Sequence, residues 1–274
     1  MTSFEAFGDM ELAGWSDTAR ATGYVDCFAA ASDQAIPRLI SAVAPTPGMR
    51  VLDLCCGQGN VSEALAAAGC EVVGADFSPA MLSFAKQRAP EVTFVEADAQ
   101  DLPFPDSHFD AVVSNLGICH VPDQPKALAE VARVLRTHGR FAMSVWCGPE
   151  ASSAFELLYG AVKAHGSADV TVPDGPDFHL FARRADAERL LTPAGFVDVA
   201  LDIVDCRWNL DGPARLAEIF EKGTVRAAAL LRSQPAKNLA AIREAMTAAV
   251  RANHGTKEGW QVPIPATLVS ARRT

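Results

Sequence analysis

The 274-residue chain is 49% hydrophobic and carries 33 acidic against 24 basic side chains, a formal net charge of −9. With no Lys/Arg cluster before the short Arg272-Arg273 end, that balance speaks against nucleic acid as a partner, and no apolar run approaches the ~20 residues of a membrane span. Glu5, Asp9, Glu11 and Asp17 stand where a secretory leader would be basic and then apolar, and the seven cysteines are scattered without a C-x-x-C pair, so a cytoplasmic chain of reduced thiols with no metal site is expected.

The first predicted element is a helix over 16–43, with Phe28, Ile36, Leu39, Ile40 and Val43 as its apolar positions, stopped by Pro45-Thr46-Pro47-Gly48. From 50 to 146 short β-rich runs alternate with helical patterns, the arrangement of βαβ units on a mostly parallel sheet. Strands are placed at 50–54, 71–75, 92–95, 109–114 and 139–146. Their runs, such as Val51-Leu52 and Ala111-Val112-Val113, are apolar throughout, as expected of strands covered on both faces. Val61, Leu65 and Ala68 share one helical face, and Leu128, Val131 and Leu135 share another.

After 146 the rhythm changes. Residues 147–182 mix Pro and Gly clusters with aromatics, a helix over 184–193 ends at Gly195, and a strand follows at 196–204. A helical stretch over 213–252 places Leu239, Ile242, Met246 and Val250 on one face, with Pro235 suited to a helix's first turn, before a last strand at 261–271. The chain therefore divides into an N-terminal helical segment (1–47), a core (48–146) resumed at 183–204 and 259–274, and two inserted segments (147–182 and 205–258).

The most informative stretch is Val51-Leu52-Asp53-Leu54-Cys55-Cys56-Gly57-Gln58-Gly59, in which a strand runs into a glycine turn that opens a helix. Such a turn lets a ligand approach the backbone and the unpaired N–H groups of the helix start. The second strand ends in Asp76, positioned to accept hydrogen bonds from ribose hydroxyls. Both a dinucleotide and S-adenosylmethionine carry that ribose. The dinucleotide fingerprint G-x-G-x-x-G needs glycine at 62, where this chain has Ser62, so a nicotinamide dehydrogenase loses support. Asp53 either caps the turn or binds the cationic methionine end of S-adenosylmethionine directly or through water. Asp98, at the end of the third strand, either caps a turn or accepts from the adenine amino group.

Four motifs in order, V-L-D-L-C-C-G-Q-G (51–59), V-V-G-A-D-F-S-P-A-M-L (72–82), D-A-Q-D-L-P-F-P-D-S-H-F-D-A-V-V-S (98–114) and L-A-E-V-A-R-V-L-R-T-H-G-R-F (128–141), resemble the class I S-adenosylmethionine-dependent methyltransferases, a family that includes quinone-biosynthesis and natural-product enzymes. The resemblance implies an α/β, Rossmann-like, seven-stranded mostly parallel sheet with helices on both faces, to which 196–204 and 261–271 add the last two strands. It also implies the cofactor S-adenosyl-L-methionine and the product S-adenosyl-L-homocysteine. By the same resemblance Gly57 and Gly59 contact the methionine part, Asp76 the ribose, Phe77 and Met81 the adenine faces, Asp98 and Ala99 the adenine edge, and Asn115 and Leu116 the sulfonium. Cys55 stands where the family often has the first glycine of its turn, and Thr137-His138-Gly139 replaces a commoner Pro-Gly-Gly.

Methyl transfer from a sulfonium needs alignment above all, and a general base only where the nucleophile must lose a proton. His120, after the fourth strand, and His179, in the first insertion, are the candidates for that base, each with a purely structural role as the alternative. The two insertions are expected to form a helical cap over the carboxyl ends of the strands, with Trp146, Phe155, Tyr159, Phe178, Phe181, Trp208 and Phe220 lining an apolar acceptor pocket and Trp15 and Tyr24 closing over the cofactor. The expected protein is a methyltransferase for a small, fairly apolar molecule, monomeric or homodimeric. The alternative is a protein that binds S-adenosylmethionine without transferring methyl.

Overall fold

The computed structural model describes Phe4–Thr274, so the first three residues of the N-terminal segment lie outside the described residues. The single helix expected over 16–43 is a chain of short ones preceded by one more. These are α1 (Glu5–Ser16), α2 (Thr18–Gly23), a π-helical turn (Tyr24–Phe28), α3 (Ala29–Ser32), a 3-10 turn (Asp33–Ala35) and α4 (Ile36–Val43). Asp17 breaks the run: its extended backbone ends α1, and its carboxylate caps α2 by accepting from the Ala19 N–H at 2.9 Å. Helix α4 stops at Ala44, in the left-handed region, ahead of the prolines that cannot continue it.

The main sheet has seven strands in the order β3-β2-β1-β4-β5-β10-β6. These are β1 (Arg50–Leu54), β2 (Glu71–Asp76), β3 (Thr93–Glu96), β4 (Phe109–Asn115), β5 (Leu135–Trp146), β6 (Phe196–Val204) and β10 (Ala266–Arg273), and only β10 lies antiparallel to its neighbours. Helices α5 (Asn60–Ala67), α6 (Pro79–Arg88) and α7 (Gln124–Val134) link the parallel strands. Side chains of β1 alternate between two cores: Val51 packs with Leu39, Val61 and Leu65 on one face, and Leu52 and Leu54 pack with Leu128 and Val131 on the other. Burial on both faces is why these strands read as continuous apolar runs. The fold is thus the expected α/β one.

Strand β5 starts at Leu135, ahead of the expected 139, with His138 at φ +63° next to a register shift against β4. The two departures from the family pattern share this property: Cys55, at φ +56°, also holds a backbone angle that favours glycine.

The insertions form the cap. The first contributes α8 (Ser153–His165), and α9 (Arg184–Leu191) returns the chain to the main sheet. The helical stretch over 213–252 is three helices, α10 (Arg215–Gly223), α11 (Arg226–Arg232) and α12 (Ala236–Asn253), with Pro235 one residue ahead of the last rather than inside it. The last strand is also divided. Residues Gly259–Pro263 form β9, which joins β7 (Arg207–Leu210) and β8 (Gly255–Thr256) in a separate small sheet, and the chain enters the main sheet only at Ala266. This small sheet packs Trp208 and Val262 against Phe155, Phe220 and Met246, in a cap core that also takes in Phe28, Leu116, Trp146 and Ala266. Among the described residues no helix is long and apolar enough to cross a membrane.

Candidate functional site

A cavity of about 400 Å3 opens at the carboxyl ends of β1, β2 and β4, the edge at which open α/β sheets bind ligands. Its floor is the turn after β1. Gly57 has φ +53°, and a methyl group added to it would meet nothing within 4 Å, so its backbone is bare toward the cavity. The Gly57 N–H donates to Asp76 Oδ2 at 2.8 Å, and the Ser78 N–H donates to Oδ1 of the same carboxylate at 2.9 Å. Burial raises the Asp76 pKa above the usual carboxylate value, and the two backbone donors and His120 oppose that shift.

Asp53 is fully buried on the same floor. Its Oδ2 accepts from the Ser62 hydroxyl at 2.6 Å, while Oδ1 has no partner among the described residues. Burial pushes its pKa up to about 7 despite the Ser62 bonds. The residue that breaks the dinucleotide glycine pattern is therefore the one that holds Asp53. Gln58 and Asn60 line the cavity as well, each with a buried amide oxygen lacking a partner among the described residues. Neither stands out in the sequence, although Gln58 sits between the two glycines.

Phe77, Met81, Asn115, Leu116 and Cys55 also line the cavity. The Asn115 side chain donates to the Ser32 carbonyl at 3.2 Å and accepts from Ser144 Oγ at 2.6 Å. Leu116 has φ +61°, and the following Gly117 passes so close to Cys55 that an added methyl would lie 2.3 Å from its Cβ. Two non-glycine residues in the left-handed region thus line the cavity wall, where the surrounding packing must hold them. Burial raises the Cys55 thiol well above its ordinary value, which keeps it protonated.

Three expected cofactor residues lie elsewhere. Gly59, at φ +81°, forms the N-cap of α5, and an added methyl would come within 3.1 Å of the Ala85 Cα, so it serves helix packing and is not on the cavity wall. Asp98 is exposed, and its carboxylate accepts the Gln100 N–H at 2.8 Å and the Gln100 side-chain amide at 3.0 Å, the contacts of a turn cap. Ala99 is buried in the core beneath it.

Trp15 and Tyr24 form part of the wall above the floor. The Ser78 hydroxyl donates to the Trp15 carbonyl at 2.6 Å while accepting the Met81 N–H at 3.0 Å, which ties the end of α1 to the start of α6. Glu11, absent from the sequence-based site, is 1% exposed. Its Oε2 accepts from Trp15 Nε1 and lies 2.8 Å from His120 Nδ1. No spacing signal links Glu11 to His120, because their meeting depends on how α1 docks. Burial pushes the His120 imidazole down, but Cys119 and Glu11 outweigh it and hold the group well above the ordinary histidine value. A ring held protonated by a carboxylate has no lone pair to offer, which argues against His120 as the base.

His179 is buried and not on the cavity wall; its Nδ1 faces the Trp146 carbonyl at 3.0 Å, and its Nε2 faces the Tyr159 hydroxyl at 3.4 Å. Burial lowers its pKa, so the ring is neutral at pH 7. Of the seven expected pocket aromatics, Trp146, Phe155, Tyr159, Phe178 and Phe220 line the cavity. Trp208 belongs to the cap core and Phe181 to the core under the main sheet.

Residues 52–143 match a family model described as a methyltransferase domain. The chain is 33% identical over 193 residues to a demethylmenaquinone methyltransferase of Renibacterium salmoninarum, covering 69% of this chain and 81% of that one. It is 40% identical over 171 residues to a demethylmenaquinone methyltransferase of Paenarthrobacter aurescens, covering 59% and 67%. Among solved structures, the YcgJ protein of Bacillus subtilis superposes with a TM-score of 0.59 at 19% identity, covering 87% of this chain and 97% of that one.

Proposed function

This chain belongs to the class I S-adenosylmethionine-dependent methyltransferases, and we propose that it methylates a small, largely apolar acceptor held between the glycine turn and the cap. The observation that supports the reading is the cavity itself, which has buried acids and a bare glycine at the sheet end and aromatic side chains at the cap end.

The floor fits this cofactor. Asp53 Oδ1, buried without a partner among the described residues, is the group to receive the cationic methionine end, directly or through water. Asp76 has an acceptor geometry already fixed by Gly57 and Ser78 and is the group for the ribose hydroxyls. Phe77 and Met81 flank the adenine, Gly57 lets the methionine portion lie against its backbone, and Asn115 and Leu116 border the sulfonium. S-adenosylmethionine supplies an electrophilic methyl group on a sulfonium, so the protein's task is to align a nucleophile and exclude water, which contributes roughly 7–11 kcal/mol. Trp15 and Tyr24 close this end. His120 positions the closing segment through Glu11. Both ring nitrogens of His179 are engaged, Nδ1 with the Trp146 carbonyl and Nε2 with the Tyr159 hydroxyl, so neither histidine serves as the base in this reading.

The relatives' names make a quinol-like ring the first acceptor to test. S-adenosylhomocysteine release on adding such a ring, absent without acceptor, is the expected result. Tight S-adenosylmethionine binding with no product from any small-molecule acceptor in a broad panel would instead favour a binding protein that does not transfer methyl.

A further inference from the structure

The cavity is electrically polarised along its length. Its sheet end holds Asp53 and Asp76, whereas its cap end holds Arg226, the one Lys or Arg among the described residues that line it. No hydrogen bond or ion pair to a described residue engages the Arg226 guanidinium. Neighbouring cap arginines are committed in that way: Arg215 pairs with Glu218, and Arg243 with Glu221. Arg226 instead lies over the face of buried Phe7, 5.8 Å from the ring centroid, a contact that steadies the planar group while leaving its donors free.

Stability of the helix does not account for an arginine here. Arg226 is the first residue of α11, where the helix dipole disfavours a cation. The same end of the cavity carries Tyr159, whose phenol burial pushes up to about 12 while Arg226 pulls the other way. A half-buried guanidinium with open donors, beside a phenol and among aromatic walls, matches an acidic oxygen on a ring.

We propose that Arg226 anchors an anionic group, a carboxylate or ionised ring oxygen, on an otherwise aromatic acceptor, and so decides which acceptors the enzyme takes. The proposal rests on the small-molecule reading above and sharpens it. With the anionic group held at the cap end, the far side of the acceptor faces the methyl donor over Gly57.

The test uses 2-naphthoate and its uncharged methyl ester as probes, titrated calorimetrically into protein saturated with S-adenosylhomocysteine. Saturation with that nucleoside is established first, and its failure would indict the cofactor reading rather than this one. The wild type should bind 2-naphthoate at least about tenfold more tightly than the ester, the difference a charge-assisted hydrogen bond confers. Arg226→Met should abolish that preference without weakening the ester, and Arg226→Lys should retain part of it. Equal affinities in the wild type, an unchanged preference in Arg226→Met, or no binding of 2-naphthoate at millimolar concentration would each overturn the proposal. Thermal melts of both variants keep a folding defect from being read as lost recognition.

Discussion

Glu11 Oε2 and His120 Nδ1 lie 2.8 Å apart, joining the first helix to the loop after the fourth strand, and Trp15 Nε1 shares the same carboxylate oxygen. Removing one member of such a buried pair strands the other, so Glu11→Ala should lower stability at neutral pH by about 2–3 kcal/mol, below the usual range because the histidine is a fifth exposed. The sign of the pH effect follows from the direction of the His120 shift. A histidine raised on folding contributes stability that is complete below its unfolded value of about 6.5 and is lost as pH rises through the folded value, which lies well above. The difference in melting temperature between wild type and Glu11→Ala should therefore shrink toward alkaline pH. A gap that stays flat from about pH 6 to 10 would contradict the ion pair. His120→Gln should raise KM for the methyl donor more than it lowers kcat, whereas a base would show the reverse split.

Asp53 is raised to about 7 by burial, so near neutrality it is partly protonated while the cavity holds no cation. Binding a positively charged cofactor end favours the ionised form. Donor binding should release a proton around pH 6–7 and weaken as pH falls below that range, visible as a binding enthalpy that depends on the buffer. The same shift makes folding stability without ligand fall as pH rises from about 4 to 7, because the unfolded chain gives up this proton first. Asp53→Asn should erase both effects; proton release that persisted in that variant would assign it to another group.

Asp76→Ala should weaken donor binding at least roughly tenfold, as expected from losing charge-assisted bonds to the ribose. Because Asp76 also receives the Gly57 and Ser78 N–H groups, some loosening of the turn accompanies the loss. Unchanged affinity by calorimetry would remove Asp76 from the donor site.

The two glycines of the turn should separate cleanly. Gly57→Ala places a methyl in open cavity space at φ +53°, so the stability loss is confined to the backbone strain of about 1–2 kcal/mol while donor binding suffers directly. Gly59→Ala combines φ +81° with a methyl 3.1 Å from the Ala85 Cα, so its main effect is a larger drop in melting temperature. Equal effects of the two on donor affinity would refute this division.

What could be read from the chain and what could not divide along physical lines. Strands β1, β2 and β4 announce themselves because burial on both faces leaves apolar runs between turn signals. Helix α1 gives no such signal, since Gly8 and Gly14 interrupt a short run whose buried members are Phe7, Glu11 and Trp15. The small sheet of the cap is equally hidden: β9 and β10 form one apolar stretch, and only the turn at Ile264-Pro265 sends its halves to different sheets. At the site, Asp76 and Asp98 occupy matching places at strand ends. They differ in their neighbours: the Gln100 side chain and N–H reach Asp98, while backbone N–H groups reach Asp76. Gly57 and Gly59 are indistinguishable in sequence until the neighbour Ala85 is known.

The cavity is built from three stretches of chain. Its floor comes from positions 53–117, inside the 52–143 segment matched by the family model, while Trp15 and Tyr24 on one side and Trp146, α8 and α11 on the other lie outside it. Proteins that share only the matched segment with this chain therefore share its appetite for a methyl donor and need not share its taste in targets. Re-lining the cap for another target is not independent of the donor end, because the cap helices share one hydrophobic cluster with Phe28, Leu116 and Trp146.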